Sequence, residues 1–258
     1  MSRTMNLLTK LIFVSLCAAF AGAQSLPLPK SEKEAQAENL SAAELLNACA
    51  QMIPLEPLVL KGEMIVRKER GIELATHRFQ LMTDWGATPP TAECLLLDSA
   101  GTTVVERVVL VRPESGEAEI KLYQGLEKDV FSSISYAGRI RGTDMTWLDL
   151  TLDFLWWKDV RFADQPEGNC RLGRRCYILV VVPPRPVAGC SAMRIWVDKQ
   201  MKCIMQAEQL NPQGDTVRRM WVQRVKKMDE RWMIRHMEIE TIGSGHRTKL
   251  LVDDATTP

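Results

Sequence analysis

The 258-residue chain carries 33 basic and 32 acidic side chains. This near-neutral balance, with the two signs interspersed, argues against a nucleic-acid partner, which would need a basic surface. The length is sufficient for one domain with a large core. After residue 23, no run approaches the roughly 18 consecutive apolar residues that a membrane-spanning helix needs.

The N-terminus has the pattern of a cleavable signal peptide, residues 1–23. Arg3 and Lys10 supply positive charge, residues 11–20 form an apolar stretch too short to span a bilayer, and Ala21-Gly22-Ala23 is a small-residue cleavage site. The alternative is an uncleaved membrane anchor. Cleavage removes two basic residues and no acid, which leaves 31 basic and 32 acidic side chains. We therefore predict an exported protein.

A polar leader and one helix follow the predicted signal peptide. Residues 24–40 are rich in Lys, Glu, Ala and Pro, which predicts a flexible leader to a single domain, 41–258. Ser41 and Glu44 form an S-x-x-E capping box, in which each side chain satisfies an unpaired amide of the first helical turn. Apolar residues then recur at helical spacing, so we predict a helix over 41–52.

From Leu58 onward the hydrophobic pattern changes to the two-residue repeat of half-buried strands. Eleven such runs, separated by turn residues about every ten positions, predict a mainly β fold with few helices, a strongly curved antiparallel sheet or incomplete barrel. The runs are 58–67, 73–83, 92–98, 102–112, 117–124, 176–183, 191–198, 203–210, 215–225, 231–241 and 246–252. Residues 177–182 are apolar on both sides, which predicts cover on both faces, with a helix as the candidate.

An aromatic segment between the two blocks of strands predicts a second helix, over 143–157. Trp147, Leu150, Phe154 and Trp157 then share one face. Two interpretations stay open. These side chains either plug the sheet as core, which is the commoner use of an apolar stripe, or they cover an apolar groove for a variable ligand.

The cysteine count supports an oxidising compartment. Cys17 leaves with the signal peptide, so an even number remains, and an even number in an exported protein favours disulfides. We predict a Cys170–Cys176 pair, because Gly173 between them can turn the chain back. The pairing of the other four is open: Cys49, Cys94, Cys190 and Cys203. No CxxC spacing suggests a metal site.

No catalytic or cofactor motif is present, including the nucleophile elbow, the phosphate loop and the H-E-x-x-H pair. The candidate groups are three histidines and three aspartates: His77, His236, His246, Asp144, Asp149 and Asp153. The histidines are interpreted as strand residues at the sheet surface, and the aspartates as capping and solvated positions that do not share a helical face. We therefore expect a protein that is not an enzyme and uses no cofactor and no metal.

Three segments resemble a known family. Residues 142–150, Gly-Thr-Asp-Met-Thr-Trp-Leu-Asp-Leu, resemble the "GSDFSYEDL" segment of the outer-membrane lipoprotein-sorting protein family, within the LolA/LolB-like superfamily of periplasmic carriers. Residues 194–199 are similar to its "vWvDkey" strand and turn, and residues 206–214 to its "kaeyyDaqGk" hairpin. The resemblance covers about 40–255, and Thr143 and Met145 depart from the family's Ser and Phe.

This resemblance implies a fold and a function. The fold would be an incomplete antiparallel barrel with helices over its open concave side, and lipid or lipoprotein acyl chains would bind between them. The helix at 143–157 would act as a movable lid, with Trp147, Leu150, Phe154 and Trp157 at the groove. The protein would be a periplasmic monomeric carrier with transient membrane contact and envelope proteins as further partners. The alternative is a non-enzymatic envelope scaffold with a packed interior.

Overall fold

The computed structural model describes most of the chain from Leu40 onward, within one compact unit, Ala37–Pro258. The described residues are 40–68, 71–112, 119–127, 129, 132–135, 137–228 and 231–258. The predicted signal peptide lies outside them, as does the predicted leader except for its last residue. No helix in this part of the chain is long and apolar enough to span a membrane.

The described residues form one open antiparallel sheet of thirteen strands, twelve longer ones and the two-residue β6. The strands are β1 Leu58–Lys68, β2 Glu73–Asp84, β3 Thr91–Leu97, β4 Val104–Val111, β5 Glu119–Gln124, β6 Ser132–Ser133, β7 Asp159–Asn169, β8 Arg175–Val182, β9 Ala192–Asp198, β10 Ile204–Leu210, β11 Thr216–Met228, β12 Arg231–Thr241 and β13 His246–Thr256. Their order is β6-β5-β4-β3-β2-β1-β13-β12-β11-β10-β9-β8-β7. The sheet is not closed, because β6 and β7 each have a single neighbour.

The topology is that of two meanders joined in the middle. Every pair of neighbours is consecutive in the chain except β1 and β13, where Met64 lies opposite Leu250. The strands β6 and β7 are consecutive in sequence yet lie at opposite edges. The connection between them, residues 134–158, therefore has to travel from one edge to the other, and it carries the aromatic segment.

Each of the eleven predicted runs overlaps one strand, but the described sheet has two further strands that were not predicted, so the predicted count of eleven is wrong. Strand β6 has only two residues, too few for a pattern. Strand β7 is an edge strand with a register irregularity between Phe162 and Glu167, and most of its residues are exposed. It also contains Pro166, which an edge strand tolerates because it need not donate on its outer side. Its apolar alternation is therefore too short to detect.

Helix α1, Ala42–Ala50, is confirmed with the predicted cap. The Ser41 side chain accepts a hydrogen bond from the Glu44 amide at 3.3 Å, and the Glu44 carboxylate accepts one from the Ser41 amide at 2.8 Å. Leu45, Leu46 and Cys49 are buried on the inner face. The capping box fixes where the helix starts, and the apolar stripe fixes which face packs.

The prediction of one continuous helix over 143–157 is wrong. Helix α2 covers only Trp147–Thr151, and Leu152 has a left-handed backbone with φ of 52°. A 3-10 helix, Asp153–Trp156, follows. Such short helices do not persist on their own, so tertiary packing and end contacts determine their extent. The four predicted aromatic and aliphatic positions consequently do not form one helical stripe.

The main core joins both helices and the 3-10 helix to one face of the sheet. Leu45 from α1, Leu148 from α2 and Phe154 from the 3-10 helix belong to one cluster with residues of β1–β5 and β8–β13, such as Phe79 and Ile239. This arrangement buries the inward side of the strands and leaves room for a site between helices and sheet.

The second face of β8 is covered differently from the prediction. Ile178 packs with Trp196 and Met205, and Val180 packs with Ala192 and Leu210. These partners are side chains of the neighbouring strands β9 and β10, and no described helix takes part. Both faces are therefore covered as expected, and on this face large residues next to one another in the sheet provide the cover instead of a helix.

Candidate apolar binding site

A predominantly apolar cavity of about 210 Å³ lies between the helical segments and the sheet. Twenty-five residues line it: Cys49, Met52, Ile53, Pro54, Leu58, Leu60, Phe79, Leu81, Thr83, Trp85, Asp149, Leu150, Thr151, Leu152, Leu155, Met201, Cys203, Ile204, Val225, Trp232, Met233, Ile234, Met237, Leu250 and Val252. Pockets for drug-sized ligands span roughly 300–1,000 Å³, so the cavity in this state fits one slender apolar group.

The strand period explains how the sheet supplies this lining. Leu58 and Leu60 start β1, and their partners across the pair with β2 are Thr83 and Leu81. Alternate residues point to the same face, so these four side chains form a continuous apolar floor with a single hydroxyl. The start of β12 and the end of β13 lie at the same end of the sheet and extend that floor.

Only one of the four predicted lid residues lines the cavity. Leu150 does so, and it is half-buried. Trp147, Phe154 and Trp157 lie in the main core, with Phe154 fully buried and stacked edge-on against Trp157 at 6.4 Å between ring centroids. These three side chains therefore lie in the core, which is one of the two interpretations that the sequence left open.

A buried arginine from the sheet holds α2 in place. Arg218 on β11 donates to the carboxylate of Asp149, to the main-chain carbonyl of Asp144, and to Gln209 Oε1 at 2.9 Å. The Asp149 carboxylate also accepts from the amide and the hydroxyl of Thr146, both at 2.8 Å, which completes a capping box. The first turn of α2 is thus tied to β11 by an ion pair shielded from water.

A second buried carboxylate anchors the segment before α2. Asp144 has no exposed surface, and its oxygens accept from Thr248 Oγ1 at 3.2 Å and from the Thr241 amide at 3.2 Å. His246 Nδ1 lies 2.8 Å from Asp144 Oδ2. The interpretation of Asp144 and Asp149 as solvated positions is therefore wrong, because both are buried. The capping role does hold for Asp149, whose carboxylate completes the capping box that Thr146 starts.

The 3-10 helix is held from the opposite half of the sheet by Arg112, which follows β4. Its guanidinium lies over the rings of Trp85 and Trp156, at 4.7 and 4.1 Å from their centroids, and pairs with the Asp153 carboxylate. Such cation–π contacts gain strength when they are shielded from water. The connection from β6 to β7 is therefore fastened to the sheet at two points, by Arg218 and by Arg112.

Sequence reasoning missed both arginines, although one signal was readable. Thr146 and Asp149 have the T-x-x-D spacing of a capping box, which fixes the start of α2. A carboxylate there was expected to be solvated. The partner, Arg218, lies 69 residues further along the chain, and no local pattern connects them.

The Cys170–Cys176 disulfide is not formed. All six described cysteines are free thiols. The turn was predicted correctly, since Gly173 has φ of 72° and its amide donates to the Cys170 carbonyl at 2.8 Å. Hydrogen bonding by the nearby Cys176 side chain holds the pKa of the Cys170 thiol below its ordinary value, and Cys170 in turn raises the pKa of Cys176. Burial instead raises the pKa of Cys94 to about 12.

We predict that this thiol pair is the first to oxidise. Treatment with glutathione disulfide at pH 7 should give a Cys170–Cys176 linked peptide in a non-reducing map, because a thiolate attacks a disulfide and Cys170 ionises most readily. Cys94 is the matched control and should stay reduced. The yield should fall at pH 5, and a map without the linked peptide would refute the pairing.

No metal site is visible among the described residues, since none of their His, Cys, Asp and Glu side chains form a group of three or more suited to one ion. The features of the site are thus an apolar cavity, a helical cover formed by α2 and the 3-10 helix, and two arginine anchors, Arg218 and Arg112.

Solved structures with low sequence identity share this fold. A DUF1329 family protein from Desulfovibrio piger matches with a TM-score of 0.70 and 18% identity, over 84% of this chain and 91% of that one. A domain described as an outer membrane lipoprotein-sorting protein from Vibrio parahaemolyticus gives 0.67 and 15%, over 82% and 91%. A LolA superfamily protein from Nitrosomonas europaea gives 0.67 and 10%, over 85% and 94%. The LolA-like fold that the sequence segments suggested is confirmed.

Residues 120–257, more than half of the chain, match the model of a family whose description reads "-like: Uncharacterized protein", and the chain belongs to that family. No curated protein matches the sequence.

Proposed function

We propose that this protein is a periplasmic carrier that binds acyl chains of lipids or lipoproteins between its sheet and its helical cover, and that it catalyses no reaction. The sheet would curve around the cavity, and the N-terminal signal peptide would direct export. The LolA superfamily protein and the lipoprotein-sorting domain supply the analogy at the level of fold.

The observation that carries this proposal is the apolar cavity. Its walls are aliphatic, aromatic and methionine side chains, with few polar groups such as Thr83 and Thr151 among them. An acyl chain gains roughly 0.8 kcal/mol for each methylene taken out of water, so even a short cavity binds one measurably. Met52, Met201 and Met237 add adaptable walls, which suits chains that differ in length.

Loading would require the cover to move. The cavity is smaller than a lipid with two chains, and Leu150, Leu152 and Leu155 of the cover form part of its wall. The left-handed residue Leu152, between α2 and the 3-10 helix, is the natural hinge, because each side is tied to the sheet by a different arginine. Release of one arginine would widen the cavity while the other keeps the cover attached, a shift between two populated states.

The test is uptake of a fluorescent fatty-acyl probe by the purified protein, in competition with unlabelled lipid. The Leu60→Trp variant should weaken uptake at least about tenfold, because Leu60 lines the cavity and the larger ring fills it. Leu122→Trp is the matched control. Leu122 is also a half-buried strand leucine that packs on the main core, but it does not line the cavity.

Organic extraction and mass spectrometry of the protein purified from the envelope fraction give a second, independent readout, and co-purifying lipid is expected. If neither lipid nor probe is bound by the wild-type protein, the carrier proposal fails. The alternative, an envelope scaffold with a packed interior, would then stand.

A further inference from the structure

The cavity has an exposed apolar rim. Of the residues that line it, Met52 and Trp232 are the most exposed, at 51% and 46% of their surface. Leu55, three residues after Met52, is 60% exposed, and its carbonyl accepts the Gly86 amide at 2.8 Å. Large apolar side chains grouped around an opening, unlike scattered ones, mark an interaction site.

Positive charge borders this rim. Trp232 and Met233 are the second and third residues of β12, and their partners across the hairpin are the exposed lysines Lys227 and Lys226. Over residues 224–231 the sequence has four basic and two acidic side chains, a net charge of +2. The whole chain has a net charge of only +1, so the excess is local. Tryptophan beside lysine is typical of the zone where a protein meets lipid headgroups.

We propose that the mouth rim, formed by Met52, Leu55 and Trp232 with Lys226 and Lys227 beside it, docks on a bilayer surface that contains anionic phospholipid. This inference rests on the proposed acyl-chain function and names the membrane as the partner of the same site. Trp232 would sit at the headgroup level with the lysines facing lipid phosphates. The cavity would then open towards the hydrocarbon, and an acyl chain could pass without crossing water.

The size of the rim sets the strength of the contact. One tryptophan, two flanking apolar side chains and two lysines bury far less than an amphipathic helix does, so docking should be weak, reversible and sensitive to salt. A carrier that must leave each membrane needs this property. A protein partner would instead be expected to bind in the absence of any lipid.

The experiment is flotation of the full exported protein with vesicles of phosphatidylcholine, alone or with 30% phosphatidylglycerol. Binding should occur to the mixed vesicles, fall at least fivefold without phosphatidylglycerol, and fall again in 500 mM NaCl. Trp232→Ser and Lys226→Glu should each lower binding at least fivefold. Ile242→Ser is the matched control, since Ile242 is 49% exposed but lies in the turn at the other end of β12.

Uptake of a monomeric acyl probe from solution, measured on the same variants, separates the two proposals. Unchanged probe uptake with lost flotation in Lys226→Glu supports membrane docking, because Lys226 does not line the cavity. If wild-type protein takes up the probe but ignores mixed vesicles, or if Trp232→Ser floats as well as Ile242→Ser, the docking proposal is overturned and the carrier proposal stands. If probe uptake is absent altogether, the carrier proposal itself has failed.

Discussion

The Arg218→Met variant should lose about 3 kcal/mol of folding stability, which corresponds to a fall in melting temperature of about 6–12 °C. The reason is that the substitution leaves the buried carboxylate of Asp149 without its ion-pair partner. Asp149 stays in place with a side chain only 4% exposed and no cation beside it. Removal of one partner of a buried ion pair costs about 3–5 kcal/mol, and the two Thr146 hydrogen bonds to Asp149 place this case at the low end. Thermal or urea unfolding measures the loss.

Two further variants show whether the loss comes from the orphaned charge. Arg218→Met combined with Asp149→Asn should recover part of the stability, because the amide keeps an oxygen for the cap and carries no charge. Arg247→Met is the exposed control. Arg247 pairs with Glu238 at 3.1 Å, but its side chain is 53% exposed, so less than about 1 kcal/mol is expected. Equal losses for Arg218→Met and Arg247→Met would contradict a buried anchor.

The Arg218→Met variant also tests whether Arg218 keeps α2 closed over the cavity. If Arg218 holds α2 closed, its removal should speed entry of an acyl probe under conditions where the protein is still folded. Stopped-flow mixing measures this rate. A slower or unchanged rate would mean that α2 stays in place without the arginine, and that the cavity is reached by its open mouth alone.

Local chemistry made much of the fold predictable. The capping box at Ser41 and Glu44 located α1, since it involves residues three apart. The two-residue repeat located eleven strands, because a strand with one face in the core has apolar residues at every second position. The strands that escaped were a two-residue strand and an edge strand, and neither buries a full apolar face.

The site was predictable only in outline. Its aromatic segment was recognised, but not which of its side chains lie in the core and which line the cavity. That depends on Leu152, whose left-handed backbone places Phe154 and Trp157 in the core and leaves Leu150 at the cavity. A leucine rarely adopts a left-handed backbone, so the sequence gives no sign of this conformation. The arginine anchors join residues far apart in the chain, so their pairing is set by the sheet topology and cannot be read locally.

The thiol pair at Cys170 and Cys176 illustrates the same limit on a smaller scale. Gly173 indicated correctly that the chain turns back there, and Cys170 and Cys176 come close enough to shift each other's pKa. Whether they are bonded is a matter of oxidation, which the sequence does not encode. The ready ionisation of Cys170 makes this the pair to test first.

The Phe154→Ala variant should be the other strongly destabilised protein, with a loss of about 3–5 kcal/mol. Phe154 is fully buried, packs edge-on against Trp157 and belongs to the main core, but it does not line the cavity. Truncation therefore opens a hole that the surrounding sheet and helices cannot close. Leu150→Ala is the matched comparison. Leu150 lies on the same segment, is half-buried and lines the cavity, so a loss of only about 1 kcal/mol is expected.

Probe uptake by Leu150→Ala and Phe154→Ala shows which of the two side chains contacts the ligand and which only packs in the core. Leu150→Ala should change the affinity or chain-length preference for an acyl probe, because it enlarges the site itself. Phe154→Ala, assayed at a temperature where it remains folded, should retain the wild-type affinity. The reverse result, a stable Phe154→Ala protein that no longer takes up the probe, would mean that the aromatic ring and not Leu150 contacts the ligand. The cover would then have to turn on binding, so that its core-facing side becomes the wall of the cavity.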